Sequence, residues 1–445
     1  MEKEKMIPKR ILNQLVSAIS AGVVPRTGAP YIAIGRNEEI GALLESMAQV
    51  AEGGAFVRFL IGRYGSGKSF LIQLLRGYAM ERGFLTADCD LSTDQRRLCG
   101  GNGAGLATYR ELLRNLASKA SPDGGALPIL LSRHYTAILT KLAESGILPE
   151  SNDFLPSLRQ EVFSSFSALE GSVGGFDFAR VLSEYFMATA EEDETKKSAC
   201  LKWLRGEFSN KTEAKAELGF RISGIVDDEN WYDYVKLWAV FARRIGYTGL
   251  IVYIDECIIL YKIVNRVARE NNYEKILTIF NDTLQGRAEG LGVIFGGTPQ
   301  FLEDTRRGLF SYEALRSRLA DSRFADTGYA TLSSPVIRLR RLSDNELYAL
   351  LCRLSKLHAM QRGAPELLGE SELKEFLSFS LSRAGASELL TPREMIRDFM
   401  TLLNILSENE DATFESLLHA PRQIVSENQD ENGDIGGISL SDFTL

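Results

Sequence analysis

AFVRFLIGRYGSGKSF, residues 55–70, decides the fold. Its first seven residues are a run of β-forming apolar side chains broken only by Arg58, and a helical pattern, KSFLIQLLRGYAMER, follows from Lys68. Between them GRYGSGKS (62–69) fits G-x-x-x-x-G-K-[ST] after a strand and before a helix, the context in which this spacing has a mechanism. Gly62, Gly65 and Gly67 let the backbone turn so that successive N–H groups and the helix N-terminus point at phosphate oxygens. Lys68 supplies charge for the outer phosphates and the Ser69 hydroxyl a ligand for Mg²⁺, so the stretch Gly62, Arg63, Tyr64, Gly65, Ser66, Gly67, Lys68, Ser69 and Phe70 is the expected nucleotide contact. A chance glycine turn would need neither flanking element.

Outward from this loop, four further apolar runs read as buried strands: FLTADCDLS (84–92), GLIVYIDE (249–256), GLGVIFGGT (290–298) and PVIRLRRL (335–342). Helical patterns between them predict an α/β fold with a parallel sheet covered on both faces. The spacing is uneven. Residues 1–99 read as an N-terminal arm and the first part of the core, 100–248 as a helical insertion, 249–342 as the second part of the core, 343–420 as a C-terminal helical bundle, and 421–445 as an acidic, mobile tail. CGGNGAG (99–105) lacks the partners of a dinucleotide fingerprint and is expected to be a mobile loop.

GLIVYIDE supplies the second half of a nucleotide site. Asp255 at the strand's end is placed to share the magnesium shell with Ser69, and Glu256 to orient and deprotonate an attacking water. Otherwise the two acids merely finish a strand. Thr298, after the fourth strand, offers a hydroxyl to that water or to phosphate, or serves as the turn residue before Pro299. Arg316, Arg318 and Arg323 are candidates to reach a neighbouring subunit's nucleotide, or are solvated helix charge. Thr391 and Pro392 predict a helix start, putting Arg393 in a first turn, where a cation is unfavourable unless an anion binds there.

In this order the motifs resemble an AAA+ ATPase, in particular the branch containing origin-recognition and STAND-type proteins. The resemblance implies GRYGSGKS as Walker A, IVYIDE as Walker B, Thr298 as sensor 1, Arg393 as sensor 2, and a trans-acting finger in LRSRL (315–319). It further implies that Gly35, Arg36 and Glu39 of IAIGRNEEIGALLESM lie near adenine and ribose, that the C-terminal bundle is a lid, and that the sheet order is 5-1-4-3-2. GGTP differs from the turn of many relatives and leaves the role of Thr298 open. ISAGVVPRTGAPYIAIGRNEE, LKWLRGE, DDENWYDYVKLWAVFARRIGYTGLIVYIDE and YEALRSRLA resemble the BREX-system ATP-binding family of bacterial phage defence, BrxD-like, over about residues 10–400. That implies ATP and Mg²⁺ as cofactors, a homo-oligomer, and partners among other defence-system proteins.

Composition bounds the alternatives. A formal net charge of −8 over 445 residues gives no whole-surface affinity for DNA or anionic membrane. DNA is then left to the insertion or to pairs such as Arg96–Arg97 and Arg306–Arg307, which otherwise read as solvated charge. Five scattered cysteines indicate neither disulfides nor zinc, His134, His358 and His419 stand far apart, and Trp203, Trp231 and Trp238 read as insertion core. With no signal-like or membrane-spanning run, a soluble, cytoplasmic protein is expected. Against an ATP-hydrolysing assembly switch stands a DNA-binding scaffold that holds ATP with little turnover, which has no use for Glu256; a small-molecule kinase would need an acceptor pocket that no motif announces.

Overall fold

The computed structural model describes residues 7–166, 173–321, 332–382 and 391–418. Five parallel strands form one sheet: β1 (Phe56–Ile61), β2 (Leu85–Asp90), β3 (Leu250–Asp255), β4 (Leu291–Gly297) and β5 (Val336–Arg338), in the order β2-β3-β4-β1-β5. Read from the opposite edge the same neighbours run 5-1-4-3-2. Because helices cover both faces, β3 and β4 are buried along their whole length. The side chains alternate between two cores. Val57, Phe59, Ile61, Leu250, Val252 and Ile254 enter one, while Phe56, Leu60, Ile251 and Tyr253 enter the other.

The second core is closed by α2 (Asn37–Ala51) and α3 (Lys68–Glu81). The first is much larger, because the helices between β2 and β3 share it with the sheet: α4 (Ala104–Arg114), α5 (Leu127–Glu144), α6 (Phe154–Phe166), α7 (Gly175–Ala190), α8 (Glu194–Leu204), α9 (Lys211–Leu218) and α10 (Trp231–Arg244). All three tryptophans are buried there, and each indole N–H finds an acceptor. Trp238 donates to the Tyr109 hydroxyl (2.9 Å), Trp231 to the Leu98 carbonyl (2.9 Å) and Trp203 to the Gly224 carbonyl (3.2 Å).

Between β3 and β4 lie α11 (Ile258–Lys262) and α12 (Arg266–Leu284), and between β4 and β5 lie α13 (Pro299–Glu303) and α14 (Glu313–Leu319). The C-terminal helices α15 (Asp344–Arg362), α16 (Glu370–Ser382), α17 (Pro392–Glu408) and α18 (Phe414–Leu418) make a third core together with the N-terminal α1 (Lys9–Ser20), whose Leu12, Leu15, Val16 and Ile19 face it.

Two sequence expectations change. β5 pairs only over Val336–Arg338 and does not run to Leu342, because the Arg340 carbonyl turns to accept from the Arg36 guanidinium (2.6 Å) and Ser343 then caps α15. The CGGNGAG segment is pinned. The Asp228 carboxylate accepts from the Gly103 and Leu106 N–H groups (2.8 Å each), and the Asn272 side-chain oxygen from those of Leu98 and Cys99 (2.9 Å each). Arg323, His419 and the acidic tail lie outside the described residues.

Candidate functional site

At the C-terminal ends of β1, β3 and β4, a cleft of about 480 Å³ lies between the sheet, the end of α1 and the starts of α15 and α17, within the range of about 300–1,000 Å³ usual for small-molecule sites. Its polar wall is the loop between β1 and α3. Gly65 and Gly67 take φ of +77° and +87°, left-handed values that L side chains rarely adopt. A Cβ on Gly65 would come within 2.4 Å of Thr391 Cγ2, so this glycine also lets the loop approach the N-cap of α17. At Gly62 a Cβ would meet the Ser66 hydroxyl at 2.3 Å.

Lys68 Nζ folds back on this loop, donating to the carbonyls of Gly62 (2.9 Å) and Arg63 (3.1 Å). Partial burial lowers its pKa, against the opposing pull of Asp255 and Glu256. The Ser69 hydroxyl donates to Asp255 Oδ2 at 2.8 Å, joining residues 186 positions apart. Asp255 is buried, and its other oxygen accepts from the Glu256 N–H (2.8 Å). Gly296 on β4 makes room for that carboxylate, since a Cβ there would lie 2.2 Å from Asp255 Oδ1. Glu256 follows with φ +57°, a left-handed value rare outside glycine, and remains exposed at the cleft. An exchange of Ser69 and Asp255 oxygens for a divalent cation's coordination shell is chemically apt, both being hard oxygen donors. The Ser66 hydroxyl is buried without a hydrogen-bond partner, so the glycine cradle carries an orphan donor beside the start of α3, where the first turn of a helix leaves N–H groups without intrahelical partners, which fits a phosphate.

Thr298 lines the cleft and caps α13, its hydroxyl oxygen accepting from the Phe301 N–H (3.3 Å). Arg393 also lines it, exposed on the first turn of α17, with Thr391 and Glu394 forming a capping box. Tyr64 and Phe70 belong to the lining, whereas Arg63 points away from it into solvent. Arg316 and Arg318 are exposed on α14, outside the cleft of their own chain, and Arg318 donates to the Ala314 carbonyl (2.6 Å).

The GRNEE segment meets the cleft in part. Arg36 reaches the cleft but is buried, with its guanidinium donating to the carbonyls of Ser66 (2.9 Å) and Arg340 (2.6 Å) and pairing with Glu39 (3.1 Å). It clamps the loop between β1 and α3 to the chain leaving β5. Gly35 and Glu39 stand outside the cleft lining, and a Cβ on Gly35 would strike the Glu346 carboxylate at 2.3 Å.

Two parts of the site had no sequence signal. Ile19 at the end of α1 and Val23, Val24 and Pro25 after it, with Ile32, Ile34, Leu342, Leu350 and Ile396, form an apolar wall suited to a flat ring. Asp90 ends β2 opposite Asp255, and desolvation, then Asp255, Asp88 and Glu256, push its carboxyl up to about 6.

A family described as BREX system ATP-binding protein BrxC/D matches residues 7–422, and the chain belongs to that family. Compared with curated proteins, it matches none. Among the described residues, no helix is long and apolar enough to cross a membrane and no group of three or more His, Cys, Asp or Glu could hold a metal.

Proposed function

We propose that this chain binds and hydrolyses ATP in the cleft and works in its BREX system as a nucleotide-dependent assembly switch of the AAA+ type. The observation that carries the reading is the 2.8 Å bond between Ser69 and Asp255, which brings the phosphate loop and the acid pair of β3 to one point. Ser69 and Asp255 are the residues that would hold Mg²⁺, which when bound supplies charge neutralisation at the phosphates. Lys68 exchanges its two loop carbonyls for phosphate oxygens. Glu256 takes a proton from the water that attacks the outer phosphorus, the bond to the leaving oxygen breaks, and ADP and inorganic phosphate result.

Thr298 and Arg393 approach the outer phosphate from β4 and α17, so that the C-terminal helices, acting as a lid, read the state of the nucleotide. Arg316 and Arg318, exposed away from their own cleft, are offered to a second copy of the chain. The partners of the homo-oligomer are other proteins of the defence system, with DNA as a further candidate.

Glu256→Gln should retain ATP binding within about threefold while phosphate release falls by about 10²–10⁴, measured by equilibrium binding and by single-turnover release. Unchanged release in this variant would remove Glu256 from the reaction. Loss of binding as well as release would make it a structural residue.

A further inference from the structure

A second cavity, of about 550 Å³, lies where the segment after β2 meets α4, the start of α5 and the end of α8. Four arginines, Arg96, Arg110, Arg114 and Arg205, border it against two carboxylates, Glu111 and Glu207. In a chain of net charge −8 this local excess of positive charge stands out. Elsewhere in the same helical region Lys202 is paired with both Glu213 and Glu217. Here only Arg114 is tightly paired, with Glu111 at 2.6 Å, while the Arg96 contact to Glu111 is 3.9 Å long. Arg205, which ends α8, has no ion pair among the described residues.

Arg96 and Arg110 are also held ready. Each donates its Nε to a backbone carbonyl, Arg96 to Asp90 (2.9 Å) and Arg110 to Gly206 (2.8 Å). Anchoring Nε fixes the plane of the guanidinium and leaves the terminal nitrogens as a fork, the geometry that receives phosphate oxygens in pairs. Leu113, Leu127 and Pro128 give the cavity an apolar side. A ligand with phosphate at one end and a flat ring at the other satisfies both walls.

We propose that this cavity is a second phosphate-recognition site, taking one nucleotide unit, free or within a single strand, on a surface separate from the phosphate-loop cleft. The proposal does not depend on hydrolysis at that cleft. The test uses the full chain with its first cleft saturated by a slowly hydrolysed ATP analogue. Inorganic pyrophosphate, thymidine 5′-monophosphate and a fluorescein-labelled oligothymidylate are titrated in turn.

At least one probe should bind, and Arg110→Gln with Arg205→Gln should weaken it by about tenfold or more, the loss expected for charge-assisted hydrogen bonds. Glu207→Gln, which removes a competing charge, should tighten binding by about two- to threefold; a gain of affinity cannot come from misfolding. If the strand binds more tightly than the mononucleotide, its salt slope should fall by about 0.7 in the double variant, one phosphate contact on a single strand. Equal affinity for strand and mononucleotide would assign a free nucleotide. Binding by no probe, or binding that the double variant leaves unchanged, would overturn the proposal.

Discussion

Asp90, Asp255 and Glu256 converge at the ends of two adjacent strands, and the desolvation of Asp90 together with its repulsion by these neighbours has a pH consequence. The folded pKa of Asp90, about 6, lies above its ordinary value of 3.8, so between these values the folded chain holds more protons than the unfolded one. Stability from this group is full below the lower value and is lost as pH rises through about 6. Asp90→Asn should therefore raise the thermal midpoint relative to the parent more at pH 8 than at pH 5, by an amount of order 1 kcal/mol once exposure is discounted. A difference independent of pH would refute this. At Gly65 the limit is steric. Gly65→Ala must adopt φ +77° and meet Thr391, so it should cost about 1–3 kcal/mol and weaken nucleotide binding, read by thermal melting and nucleotide titration. The loop glycines and Asp255 were legible in the sequence because their motifs are local. Asp90 was not, since only strand register sets it opposite Asp255.

Among the elements, the contact that matters most joins the glycine loop between β1 and α3 to α15. Arg36 ties the Ser66 carbonyl to that of Arg340, the Arg340 side chain makes a two-pronged pair with Glu346 (2.6 Å each), and Glu346 closes the capping box of α15 with Ser343. Arg340 and the Ser343 donors hold the Glu346 carboxyl down to about 2. Lysine at position 36 lacks the fork that serves two carbonyls and a carboxylate together. Arg36→Lys should raise the KM for ATP by about tenfold, the loss of one to two charge-assisted bonds, with a smaller change in kcat; a variant that loses only thermal stability would make Arg36 purely structural. The sequence pattern marked Arg36 but not its task, because its partners lie 30 and 304 positions away. For the same reason the N-terminal segment read only as an arm, and nothing local to it marked α15 and α17 as the partners of α1.

Over the whole molecule, two cores sandwich the sheet and a third joins α1 to helices α15–α18 beside the cleft. The strand and helix alternation was readable because buried parallel strands are apolar throughout; the depth to which the intervening helices share the sheet's core was not, since periodicity names a buried face without naming what buries it. Arg316 and Arg318 lie outside the cleft of their own chain, so a subunit acting alone lacks them at its nucleotide. The most direct measurement is phosphate release in a mixture of two inactive variants, Glu256→Gln and the double Arg316→Ala, Arg318→Ala, across a range of protein concentration. A site shared between subunits requires that each variant alone be nearly inert, that mixing restore turnover at intact Glu256 sites completed by a neighbour's arginine, and that the parent's rate per subunit rise with concentration. A mixture as inactive as its components, beside a parent whose rate per subunit is constant, would contradict it.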